Sequence, residues 1–237
     1  NSTFLGYQAG NAVTTGVQNT ILGMNAATVL TTGADNTFVG CGAGEGIATS
    51  SANNVAVGRQ ALQGAGTRSN NTAIGMAALY SSTTGANNVA VGQTALYAAT
   101  TGGGNTGIGQ AALVANTTGV NTVAVGYQAL KTNTTADDNV AVGVNSLLYN
   151  TTGAANVAVG RSALAANTTA ANNTAVGMNA LLVNTTGDLN TAVGKDSLNA
   201  STTGYRNTAM GVDSLNDLTT GGYNSGFGQH ALNKITT

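Results

Sequence analysis

The sequence predicts an all-β protein, a parallel β-solenoid (β-roll) of about fourteen 17-residue coils, on three observations. The first is a register of glycines: Gly6, Gly23, Gly40, Gly58, Gly75, Gly92, Gly109, Gly126, Gly143, Gly160, Gly177, Gly194, Gly211 and Gly228 are spaced by 17 residues everywhere except Gly40 to Gly58, where the interval is 18. The second is the stretch before each glycine, typically NTAVG, whose period-two placement of β-branched residues between turn-forming segments is a strand signal. The third is composition. With 6% charged and 4% aromatic residues, no Pro, no Trp and 34 Gly, the 237-residue chain lacks the large apolar side chains of an ordinary globule of its length.

Taken in order, the consensus N-[TV]-A-[VI]-G-x-x-[AS]-L-x-x-x-T-T-G-x-x assigns each coil its parts. NTAVG forms one short strand. The segment around [AS]-L is expected to form a second, and T-T-G returns the chain to the next coil through a glycine that tolerates positive φ. A helical repeat of this length would need two helices of about six residues, too short to persist, with T-T-G and N-N breaking each one. Stacked parallel ladders about 4.7 to 4.9 Å apart would make fourteen coils a rod of roughly 65 to 70 Å. Every residue then lies on its own copy, Asn on Asn and Thr on Thr with side-chain hydrogen bonds along the rod, which explains why neighbouring repeats are nearly identical.

The array covers residues 1–237 without a linker, residues 1–50 being variant coils and 51–237 regular ones. The first three coils carry Gly10, Ala27 and Gly44 where later ones carry Leu, and Phe4, Ile21 and Phe38 where most later ones carry Ala, so bulk has moved from one side of the coil to the other. The residue before each anchor glycine, as in Leu5, Val57, Ile108, Val193 and Phe227, is expected to face a core. Alternation then sends Ala56, Ala73, Ala90, Ala124, Ala141, Ala158, Ala175, Ala192 and Ala209 to the opposite face. A small residue kept there through successive coils suggests close packing against another chain, and so a homotrimer or other parallel oligomer; the alternative is a single-chain solenoid in which Ala fits a narrow coil.

The A-V-G-x-x-[AS] core, as AVGKDS at 192–197 and AVGVNS at 141–146, resembles the left-handed parallel β-roll repeats of YadA-type trimeric autotransporter adhesin heads and the repeat regions of bacterial and phage tail-fibre proteins. The resemblance implies a left-handed coil, trimerisation, and a stiff, protease-resistant surface that binds host matrix or other cells. The unit here is longer than that family's, adding a return loop, and no ligand-binding residue carries over.

Chemistry is sparse. The sole His is His230 and the sole Glu is Glu45, neither with a repeated partner, so a catalytic constellation is not expected, nor a cofactor. Asp137 and Asp138 are adjacent, and Asp196 and Asp213 lie 17 apart, yet the six to eight oxygens that Ca²⁺ prefers are not evident. Solvated loop charges are the expectation. Cys41 is expected to be a small, buried or partly buried thiol, and the tyrosines occupy different repeat positions without a continuous platform. The recurrent T-T-G raises ice binding through ordered water, against which stands structural use of the threonines in the turn. N-T-T at Asn116, Asn133, Asn150, Asn167 and Asn184 matches the N-glycosylation acceptor on an expected exposed loop.

A net charge of -1 with scattered charges argues against nucleic acid as a partner. No apolar run reaches the roughly 20 residues that span a bilayer, so membrane insertion by this segment is not expected. Both terminal stretches, NSTFLG and GQHALNKITT, lie in repeat register without a distinct cap. The expected role is a non-enzymatic structural rod of an extracellular, cell-surface or virion fibre, adhesin-like or a tail-fibre shaft, with self as partner and host surface or matrix as a further one. The alternative is a head-to-tail self-assembling filament subunit carrying glycans.

Overall fold

The computed structural model describes residues 1–237 and is a β-solenoid with no helix and one three-residue strand in each coil. It divides into two compact units, residues 1–120 and 121–237. In the first, β1 (Thr3–Leu5), β2 (Thr20–Leu22), β3 (Thr37–Val39), β4 (Val55–Val57), β5 (Thr72–Ile74), β6 (Val89–Val91) and β7 (Thr106–Ile108) lie side by side in chain order. In the second, β8 (Val123–Val125), β9 (Val140–Val142), β10 (Val157–Val159), β11 (Thr174–Val176), β12 (Thr191–Val193), β13 (Thr208–Met210) and β14 (Ser225–Phe227) do the same. The strands of each unit pair in parallel and set like beside like, Ala158 between Ala141 and Ala175, Val159 between Val142 and Val176.

The interior is reached by the other face of the strand from the one expected. Ala158 is 0% exposed and Val159 is 36% exposed; Ile74, Ile108 and Met210 are likewise exposed. The residue before the anchor glycine therefore faces out, and the alanine faces the chain's own core. The reason is parity. Asn156, Ala158 and Gly160 alternate onto one side, Val157 and Val159 onto the other, and the Asn must be inside because its carboxamide joins neighbouring coils. Where the turn carries Leu, Ala or Gly is what sits beneath the strand; the larger Phe38 sits there in a coil that has Gly44 in place of that Leu.

The expected second strand is absent and a series of turns stands in its place. The anchor carbonyl accepts from the residue three further on, as in Ala180 N–H to Gly177 O at 3.3 Å, with Asn179 at φ +58° closing a type II turn. Leu181 follows at φ +51°, and its N–H turns to the next coil, donating to Ser197 O at 3.0 Å. A left-handed conformation costs an L-residue roughly 1–2 kcal/mol. Full burial of a Leu side chain returns about 1.5–3 kcal/mol. Since Leu181 and its counterparts from Leu62 to Leu215 are 0% exposed, burial offsets the strain; Leu232, in the last coil, is 49% exposed.

In the first unit the bulk exchange read from the sequence takes a definite form. A Cβ built on Gly44 would lie 2.9 Å from the Phe38 ring, so the ring fills the space that a leucine takes in later coils. The anchor glycines are needed for a different reason. Gly143 has φ +136°, and a Cβ there would meet Gly160 O at 2.5 Å, the backbone of the coil stacked on it. The extra residue of the 18-residue interval is taken up between Glu45 and Thr49: Thr28 Oγ1 bonds across 17 residues to Glu45 O, Thr31 Oγ1 across 18 to Thr49 O.

The left-handed leucine makes a discriminating test. Leu181→Met keeps volume and an unbranched Cβ and is expected to cost under about 1.5 kcal/mol. Leu181→Ile adds a branched Cβ at φ +51° and is expected to cost more than the Met change, read as the difference in denaturant midpoint between the two variants.

Candidate functional surface

Two buried ladders of asparagine organise the coil. The first is the Asn four residues before the anchor glycine. Asn156 Oδ1 accepts from the backbone N–H of Asn173 at 2.9 Å, and Asn156 Nδ2 donates to Ala170 O at 2.8 Å. Asn173 repeats the arrangement with Asn190 N–H and Gly187 O, each at 2.9 Å. In the first unit Asn36, Asn54 and Asn71 do likewise. Each carboxamide thus ties the strand of one coil to the return turn and strand entry of the next. The expected stacking of Asn on Asn with side-chain hydrogen bonds along the rod is present, as from Asn190 Nδ2 to Asn173 Oδ1 at 3.2 Å, while the backbone partners of the carboxamide are not visible in the sequence.

The second ladder is made by the very residues expected to accept glycans. Asn116, Asn133, Asn150, Asn167 and Asn184 are all 0% exposed. Within the second unit, Asn150 Nδ2 donates to Asn133 Oδ1 and to Gly153 O, both at 2.9 Å, and Asn167 Nδ2 donates to Asn150 Oδ1 at 2.8 Å. The expected exposed loop is therefore corrected: these amides lie in the coil interior with their hydrogens engaged, and a sugar there is incompatible with the fold. The triplet N-N-T at Asn70 and Asn172, which the sequence reading passed over, places exposed asparagines instead.

The inter-chain packing assigned to Ala56, Ala73, Ala90, Ala124, Ala141, Ala158, Ala175, Ala192 and Ala209 is also corrected, since all nine are 0% exposed inside their own chain. The free side of the strand carries Thr or Val, or Ser in β14, and then Val, Ile, Leu, Met or Phe, as in Val140 with Val142, Thr174 with Val176 and Thr208 with Met210. It holds no ionisable side chain from β1 to β14. Of the paired threonines, the first belongs to the turn: Thr151 N–H and Oγ1 both donate to Thr168 O at 2.9 Å. The second, as in Thr152 and Thr169, is exposed.

The ionisable residues are dispersed. Asp196 accepts from Asn179 Nδ2 at 2.9 Å and from Asn199 Nδ2 at 3.3 Å, and pairs with Lys195 at 3.1 Å. Burial raises its pKa, but these hydrogen bonds and the Lys195 charge outweigh it and hold the carboxyl below its ordinary 3.8. Asp213 accepts from Asn216 and lies 3.6 Å from His230. Asp137 is half-buried and Asp138 exposed, while Glu45 accepts from Gln63. Cys41 is exposed rather than buried, because the position after the anchor glycine lies on the outer side of the coil. Tyr80 and Tyr97 stack at 5.0 Å between adjacent coils, and Tyr205 meets Tyr223 edge-on at 5.4 Å, two local pairs that the scatter of tyrosines concealed.

Arg68 is the unexpected member. It occupies the return-turn position where most coils have Gly, yet it is 2% exposed, its guanidinium donating to Leu62 O, Gly64 O and Ser82 O. Burial pushes its pKa down to about 10. No group of three or more His, Cys, Asp or Glu side chains gathers to hold a metal ion, and no helix is long and apolar enough to cross a membrane.

Comparison with known proteins finds no matching family model, no matching curated protein and no matching solved structure.

The second ladder ends at Asn184, whose Oδ1 has no hydrogen-bond partner, below Ser201 in the next coil. Ser201→Asn is expected to add a donor to Asn184 Oδ1 and to raise stability by about 1 kcal/mol, measured by chemical denaturation; a fall would mean that the coil has no space for the larger side chain. Asp196 gives a pH test. Its folded pKa is depressed, so its contribution is present above the unfolded value and is lost as pH falls through the folded one. Asn179→Ala is expected to move the Asp196 pKa up toward 3.8 in an NMR titration and to narrow that acid-side loss of stability.

Proposed function

We propose that this chain is a non-catalytic structural segment of an extracellular fibre, of the kind found in adhesins, tail-fibre shafts or cell-surface filaments, and that copies associate in parallel along the outer strand face. The observation that carries this reading is the uncharged outer face, Val157 with Val159 and its counterparts, left half-exposed on a coil whose interior is already filled. Regular apolar rows of this kind gain from being covered, and parallel in-register strands in each copy offer matching rows.

Scale sets how the face must be used. Seven strands at about 4.8 Å, three residues wide at about 3.3 Å each, present on the order of 330 Å² per unit. Stable interfaces bury about 800 Å² per partner. The strand face of one unit falls short of that figure, so a lasting assembly needs more than one unit's strands. The ladders support the mechanical part of the reading, because within the second unit the coils from Asn139 to Asn190 are held to one another by backbone bonds and by carboxamides shielded from water.

Native mass measurement tests the association. The chain is expected to be a dimer or trimer, and the double change Val142→Lys and Val159→Lys is expected to yield monomers with an unaltered circular-dichroism spectrum, since both side chains point away from the core. A monomeric unaltered chain, or an assembly indifferent to the two lysines, would remove this reading.

A further inference from the structure

We propose that Asn70 and Asn172 are the N-glycan acceptors this fold can carry, in contrast to the five buried asparagines of the N-T-T triplets, whose modification prevents the coil from closing. The inference takes its compartment from the extracellular reading above, but it does not depend on how the chains associate. Both residues satisfy N-x-[ST], as N-N-T at 70–72 and 172–174.

Their position in the coil differs from that of the buried set. Each lies two residues before its strand, at the corner where the chain leaves the return turn, at φ +60° and +59°. Their backbone N–H groups are engaged, with Ala52 O at 3.2 Å and Ala154 O at 3.1 Å, while the residues themselves are exposed. The same corner in other coils carries Leu189, 48% exposed, Arg206, and Tyr223, 66% exposed. A position that accepts Leu, Arg and Tyr without burying them sets no upper limit on the size of the group it holds. The ladder asparagine is the middle residue of the triplet and stays buried: Asn71 and Asn173 keep their bonds to Gly85 O and Gly187 O.

The chemistry transfers an oligosaccharide from a lipid pyrophosphate donor. The bond between Nδ2 and the anomeric carbon forms as the bond from that carbon to the pyrophosphate oxygen breaks; Nδ2 loses one proton to a base and the lipid pyrophosphate leaves. One hydrogen remains on Nδ2, enough for an exposed residue. In the buried ladder both are committed, as in Asn167 Nδ2 to Asn150 Oδ1 and to Ala170 O, and no space remains for a sugar. Asn199, in N-A-S, is half-buried with Nδ2 bonded to Asn179 O and Asp196 Oδ1, and belongs with the engaged set. Asn1, in N-S-T, is exposed ahead of the first strand and is changed to Gln in the test so that it adds no signal.

The experiment is secretion of the whole chain, as Asn1→Gln, from a cell line with an N-glycosylation pathway, followed by protease challenge to select folded protein and glycopeptide mass spectrometry. The expected result is occupancy at Asn70 and Asn172 and none at Asn116, Asn133, Asn150, Asn167 or Asn184, with Thr72→Val and Thr174→Val each abolishing one glycan. Val is the residue found at the equivalent site in β4, β6 and β10, so these changes keep the fold. Should the chain fail to be secreted, the combined change of Thr118, Thr135, Thr152, Thr169 and Thr186 to Val, all exposed and all completing buried triplets, is expected to restore secretion with the two glycans in place. Folded protein bare at Asn70 and Asn172, folded protein with a glycan on the buried ladder, or a five-valine variant still retained would each overturn the proposal.

Discussion

Everything in this fold depends on a carboxamide that must be inside. The Asn before most strands, replaced by Ser2 before β1 and Thr122 before β8, uses its oxygen on the N–H at the next strand's entry and its NH₂ on a carbonyl of the next return turn, closing backbone groups that water would otherwise have to reach. Once Asn is inside, the pleat decides the rest: the residue two places on is also inside, directly under the strand, and must be Ala or another small residue in most coils. The β-branched residues between them are pushed outward. A single hydrogen-bonding requirement thereby sets which face is core, how thick the coil is, and which surface is left for other molecules.

Thinness has a second consequence in the turns. With only Ala beneath the strand, the interior needs one large apolar side chain from the opposite wall, and in most coils Leu supplies it from a left-handed backbone position. The first coils reach the same filling by the opposite route, with Phe38 crossing the coil toward Gly44. Both solutions place one bulky group per layer. Where neither the usual turn sequence nor the usual small residue is present, Arg68 folds its guanidinium inward and caps three carbonyls, a polar replacement for the missing contacts.

The solenoid and its 17-residue register were legible because repetition is a property of spacing alone. The orientation of the strand was not, because hydrophobicity ranks Val above Ala for burial, and only the hydrogen-bonding need of Asn156 and its equivalents reverses that order. The missing second strand has a similar origin. Alternating Ala or Ser and Leu looks like a strand by periodicity, while the positive φ of Asn179 and Leu181 leaves no trace in a Leu. For the candidate surface, N-T-T read as a loop because Thr-Thr-Gly marks a turn. Burial of Asn150 inside that turn follows from stacking on Asn133 and Asn167, a contact between residues 17 apart that no single triplet reveals.

The way in which the extra residue between Glu45 and Thr49 is absorbed bears on how such a sequence changes over generations. Each layer touches only the layers above and below, and consecutive layers are near copies. Gene slippage that adds or removes one whole 17-residue unit among the regular coils therefore leaves the remaining junctions there nearly unchanged, whereas most other lengths would put Asn under Val and Gly under a side chain. Copy number in this architecture is free to drift while the rung itself is held constant, and the one 18-residue layer marks a bulge that both of its neighbours tolerate.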